Sequence, residues 1–175
     1  MWIGKQKGRW TVVLGAMLLT ACSPSTAPEA PRAAWWYDIT FVPSSTSIAN
    51  VEIQAIDSSW ESATALDQTL LQGRVTGDEL EAFAQSQLAF SLMSDLDGDG
   101  IQEAFLVGVY KATDGEQGRF VSIIREGRVL GYFKEGSGNG FSALMPGAGE
   151  VRWYKCMECG EFESITWGGE GYVLE

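Results

Sequence analysis

From Phe105 to Glu175 the chain is a series of short β-branched and aromatic segments separated by turn residues. FLVGVY, Phe105 to Tyr110, is continuously apolar, the pattern of a strand covered on both faces. RFVSIIR and RVLGYFK flank Glu126-Gly127, a two-residue hairpin turn of suitable chemistry. EVRWYKC and EFESITW flank a second turn, and GYVLE follows Gly168-Gly169. Together these segments predict a mainly antiparallel β-meander.

The preceding stretch is more mixed. WWYDITFV, Trp35 to Val42, alternates and predicts a strand, as does VEIQAI, Val51 to Ile56. Ser58 with Glu61 three residues on has the form of a capping box, so WESATALDQTLL, Trp60 to Leu71, predicts a helix. Thr76 and Glu79 repeat that signature, with Leu80, Phe83, Ala84 and Leu88 on one helical face. The expected fold class is therefore α+β weighted towards β, with two short helices before the meander. SGNGFSALMPGAG, Ser137 to Gly149, is glycine-rich but lacks the Lys-Ser/Thr ending of a phosphate loop. It predicts a mobile surface loop.

Between the two halves, SDLDGDGIQE places Asp95, Asp97, Asp99 and Glu103 within nine residues. Like charges at that density repel unless their pKa values rise or a cation joins them. Calcium wants six to eight oxygens, and an Asp-x-Asp-x-Asp-Gly segment supplies them by wrapping round the ion. The three aspartates and Glu103 offer side-chain oxygens, Ile101 a backbone carbonyl, and Gly100 the sharp turn. The alternative is a solvated acidic turn, since Asp and Gly are ordinary turn residues. The twelfth loop position is Leu106, not the bidentate Glu of an EF-hand. DLDGDGIQEAFLVGVY instead resembles the strand-loop-strand calcium sites of FG-GAP and VCBS-type repeats. That resemblance implies Asp95, Asp97, Asp99 and Glu103 as ligands, with Ile101 giving a carbonyl. The chain carries the unit once, so the resemblance extends to the loop and not to a propeller. Without the bidentate ligand the expected affinity is about 10⁻⁴–10⁻³ M, that of a structural clip.

The N-terminal residues predict an address. Met1 to Trp10 carries Lys5, Lys7 and Arg9 and no acid, and TVVLGAMLL follows. A basic head, a short apolar core and small residues make a secretory signal over residues 1–21. That core is too short for a bilayer span of about 20 residues. Leu19-Thr20-Ala21-Cys22 resembles the lipobox of bacterial lipoprotein precursors. The resemblance implies cleavage before Cys22, a diacylglycerol thioether on its sulfur and acylation, such as palmitate, of its new amine. Several chains on one residue give stable anchoring where one does not. Ser23 after the cysteine implies sorting to the outer membrane, with the domain facing the periplasm. Residues 22–34, with Pro24, Pro28 and Pro31, predict an extended tether. Residues 35–175 are left as one globular domain.

Loss of residues 1–21 leaves nine basic residues against 23 acids, a net charge of −14. Such a chain is a poor partner for nucleic acid and for anionic lipid surfaces. The membrane is then reached through the lipid anchor alone, and the remaining partner is a protein or a glycan. With Cys22 acylated, Cys156 and Cys159 remain, and the chain has no histidine. A single-chain zinc site would lack ligands. A disulfide across a tight turn is expected, with a thioredoxin-like redox pair as the alternative. The absence of histidine also removes Ser-His-Asp and Cys-His machinery. Carboxylate-pair glycoside hydrolysis stays open in principle. The five tryptophans beyond the leader are expected to be core anchors, with one of Trp35 and Trp36 exposed if they lie on a strand. The sequence thus supports a non-enzymatic, lipid-anchored accessory module with one structural calcium ion. A glycan-binding or glycan-cleaving protein and a thiol redox protein are the alternatives.

Overall fold

The structure, a computed structural model, describes residues 34–175. The expected leader, Cys22 and nearly all of the tether lie outside them. Three short elements open the domain: α1 (Trp35–Asp38), β1 (Ser47–Ile48) and β2 (Val51–Glu52). Then come α2 (Ile53–Ile56), β3 (Trp60–Ala65), a 3₁₀ turn (Gln68–Leu71) and α3 (Gly77–Gln85). Strands β4 (Ser91–Ser94), β5 (Glu103–Ala112), β6 (Gln117–Arg125) and β7 (Arg128–Glu135) follow. The chain ends with β8 (Ala143–Pro146), β9 (Val151–Tyr154), β10 (Phe162–Trp167) and β11 (Tyr172–Leu174).

All pairings among these strands are antiparallel. The central sheet runs β3-β5-β6-β7, and β4 also pairs with β5. One edge of the ten-residue β5 is thus divided. Its first half meets β4, with Ser94 opposite Glu103, and its second half meets β3, with Ala63 opposite Tyr110. The second sheet is the meander β8-β9-β10-β11. The β6–β7 turn is the expected Glu126-Gly127, both residues left-handed at φ 52° and 75°, as a hairpin turn matched to strand twist requires.

The apolar run of β5 has the burial its sequence predicts. Phe105, Val107 and Val109 point to a core shared with Val151, Trp153 and Ile165 of the second sheet and Phe83 of α3. The opposite face carries Tyr110 and Ala112, packed with Phe120, Ile53, Ile56 and Trp60. Each such large side chain contributes about 1.5–3 kcal/mol when fully buried. Gly108 lies on this second face because a Cβ there would stand 2.3 Å from the Phe120 ring and 2.5 Å from the Thr64 carbonyl oxygen.

The expectation of a β-dominated antiparallel fold with few helices agrees with the structure, but the elements before β4 differ from their predictions. Trp35 to Val42 is not a strand. Trp35 and Trp36 fall on α1, and both are buried, at 5% and 8% exposure, so neither is the exposed aromatic expected of a strand pair. Trp35 meets Phe83 and Phe141 edge-to-face, and that packing outweighs local β-propensity. Val51–Ile56 is a strand only to Glu52 and then turns into α2.

The helix expected over Trp60–Leu71 is instead β3 followed by the 3₁₀ turn. Trp60 stacks on Tyr110 at 4.9 Å and its strand pairs with β5, which a helix could not do. The polar residue that shapes this entry is Asp57, which accepts from Ser59 N and Oγ, rather than Ser58. The second expected helix is present. α3 has the full capping box, with Thr76 accepting from Glu79 N and the Glu79 carboxylate accepting from Thr76 N. Phe83 is buried and Leu80 packs against the same core, but Ala84 is exposed. Ser137–Gly149 is not a surface loop throughout, since Phe141, Ser142, Ala143 and Leu144 are buried and β8 lies within it. Its glycines masked an apolar segment that supplies the edge strand of the second sheet.

Candidate metal centre

Strand β4, residues 95–102 and β5 form a hairpin, so the acidic segment is a strand-loop-strand unit. Each aspartate shapes the loop through backbone amides. Asp95 accepts from Gly98 N at 2.8 Å and Gly100 N at 3.0 Å. Asp97 Oδ1 accepts from Asp99 N at 3.1 Å, and Asp99 Oδ1 from Ile101 N at 2.8 Å. Gly98 and Gly100 sit at φ 74° and 87°, a region that side chains disfavour. The remaining oxygens converge. One carboxylate oxygen from each of Asp95, Asp97, Asp99 and Glu103 lies within 4.8 Å of the others.

Glu103 differs from the aspartates. It opens β5 and is 0% exposed. A buried carboxylate needs partners to offset lost hydration. Glu103 Oε2 accepts from Leu96 N at 3.4 Å, and Oε1 faces Arg125 Nη1 at 3.3 Å. Burial first, and then the Glu103 charge, push the Tyr172 phenol above its ordinary pKa. Ile101 lies in the same loop with its side chain half exposed.

Sequence reasoning missed Arg125. At the end of β6 its Nη1 stands 2.5 Å from Asp99, 3.3 Å from Glu103 and 3.5 Å from Asp97. The Asp99 contact, set against some desolvation, holds the guanidinium above its usual pKa. The Ile101 amide, with Arg125 adding to it, holds Asp99 below the usual carboxylate range. The loop is therefore partly neutralised from within the chain. The available signal was indirect: a β5–β6 hairpin carries the end of β6 back to the start of β5, beside the acids.

Cys156 and Cys159 form a disulfide-like pair in the β9–β10 connection, with Cα atoms 5.8 Å apart. Cys156 is buried in the main core and Cys159 is exposed. The buried thiol position lies after a strand, not at the helix start an activated redox cysteine uses. Of the tryptophans, Trp35, Trp36, Trp60 and Trp153 are buried. Trp167 is half-buried against Tyr172.

No family model, curated protein or solved structure matches this chain.

Proposed function

We propose that the protein is a lipid-anchored component of a bacterial cell envelope whose domain is clipped by one calcium ion and acts as a non-enzymatic interaction or accessory module. The carrying observation is the convergence of four carboxylate oxygens within 4.8 Å, one of them from fully buried Glu103. Calcium takes six to eight oxygens at about 2.3–2.6 Å in a flexible shell, which a carboxylate-rich loop can supply, whereas magnesium demands octahedral geometry and keeps several waters. The all-oxygen donor set suits a hard cation, and Ile101's carbonyl and water would complete the shell. Four carboxylates against one guanidinium leave net negative charge for a divalent ion to offset. The strand-loop-strand setting supports the likeness to FG-GAP and VCBS-type loops. Cys22, by its lipobox-like context, carries the acyl chains, and Ser23 after it directs the domain to the outer membrane, facing the periplasm.

A second reading is favoured by Arg125. In it the guanidinium alone is the countercharge, and the loop is an ion-pair clip without metal. The two separate in one experiment. The melting temperature of the soluble domain is measured with calcium and with chelator, in wild type and Asp97→Ala. The metal reading expects calcium to raise the midpoint in wild type and not in the variant. No calcium-dependent difference in wild type would leave the ion-pair clip.

A further inference from the structure

About 20 Å along β6 from Arg125, estimated from its six-residue separation and strand rise, lies Arg119. It lines a cleft of about 490 Å³ between the end of the central sheet, α1 and the β9–β10 connection. That volume is in the range of small-molecule sites, about 300–1,000 Å³. The aromatic lining is Trp36, Tyr37 and Phe162. Tyr37 is 68% and Phe162 41% exposed, so both rings are accessible from the cleft.

The charges are unevenly paired. Lys155 is held by Glu135 at 3.1 Å and Glu163 at 2.5 Å. Arg119 takes part in none of the ion pairs among the described residues. Its Nε is buried without a hydrogen-bond partner. Burial lowers its pKa, opposed by the charge of Glu135, its register partner on β7. A guanidinium is effectively never neutral, so this is a partly desolvated cation whose neighbouring anion, Glu135, is engaged by Lys155 and makes no direct ion pair with it. The Trp36 indole N–H, from another lining residue, also lacks a partner. Guanidinium recognises carboxylate through paired N–H donors, and aromatic walls take a flat or apolar body.

We propose that this cleft binds an organic carboxylate with an apolar or aromatic body, its carboxylate on Arg119 and its body against Tyr37 and Phe162. A small organic acid and a peptide C-terminus share that chemistry. The site is separate from the acidic loop, so it stands or falls independently of calcium.

The test titrates the intact soluble domain with N-acetyl-phenylalanine and with its amide, followed by NMR at the Trp36 indole N–H. The acid is expected to bind about ten- to hundredfold more tightly than the amide, the value of a charge-assisted contact. Arg119→Gln should abolish that difference, and Arg119→Lys should restore only part of it. Tyr37→Ala, at an exposed position, should weaken acid and amide alike. Phenylacetate and a tetrapeptide ending in Phe then distinguish the two sources by which binds more tightly. Equal binding of acid and amide, no saturable binding of either, or an unchanged preference in Arg119→Gln that keeps the parent melting temperature would overturn the proposal.

Discussion

Arg125 Nη1 stands 2.5 Å from Asp99 Oδ2, joining the end of β6 to the tip of a loop 26 residues earlier. The contact gives the acidic loop a countercharge that is covalently part of the chain. Any added cation must share the carboxylates with it or displace it.

Arg125→Gln therefore separates the two modes of neutralisation. Without calcium the variant should melt below wild type, because three carboxylates lose their nearest cation. With calcium it should bind more tightly than wild type, by about tenfold, since a like charge beside the ion is removed. Calorimetric titration of both proteins measures this. Weaker calcium binding in the variant would show that Arg125 supports the ion rather than competes with it.

Acid should loosen the domain through Asp57. It accepts from Ser59, from Tyr132 Oη at 3.1 Å and from Lys134 Nζ at 2.8 Å. Burial alone would raise its pKa, but Lys134, Ser59 and Tyr132 outweigh burial and hold it well below the ordinary 3.8. A depressed carboxylate stabilises the fold fully above its unfolded value and loses that contribution as pH falls through the folded one. Denaturant midpoints should therefore drop as pH falls below about 3.8, and drop less steeply in Asp57→Asn.

Gly108→Ala should cost about 1–3 kcal/mol, as overpacking of a tight core does. The added methyl would meet both the Phe120 ring and the Thr64 carbonyl. Phe120→Leu in the same chain should recover only part of the loss, because the backbone contact persists. Equilibrium urea unfolding of the single and double variants checks this, and full recovery would mean that the Thr64 contact relaxes freely.

The two cysteines should respond unequally to serine. Both substitutions remove the same short cross-link, whose stabilisation through loop closure is modest. Cys156→Ser also places a hydroxyl in the core beside apolar neighbours, which costs a further 1–3 kcal/mol or so. Cys159→Ser places it in solvent. Equal losses in thermal unfolding would contradict the buried position of Cys156.

The second half of the chain was legible because its strands follow simple rules. β5 to β7 and β9 to β11 appear where apolar runs and turn residues place them, since each pairs mainly with its neighbour in sequence. β3 was not legible. Its partner is β5, reached only after α3 and β4, so a capping-box pattern at Ser58 and Glu61 had no local competitor. Trp35 and Trp36 were misread for a related reason, because rings from distant segments fix their backbone. Within the acidic loop, the ligand candidates and the turn at Gly100 follow from spacing, whereas Gly98, also left-handed, was not singled out. Arg125 does not follow from spacing, since its proximity is a property of strand pairing. The Arg119 cleft is invisible to sequence for the same reason, drawing its walls from α1, β6, β7, the β9–β10 connection and the start of β10.

The divided edge of β5 has a consequence for accuracy. A slip of one residue would turn Val107 and Val109 out of the core and would mismatch β3 and β4 together. Placement of Glu103 is thus guaranteed by hydrophobic residues several positions away. The acidic loop can exchange charge partners or bend while the strand pairing of β5 holds the carboxylate at its base in register.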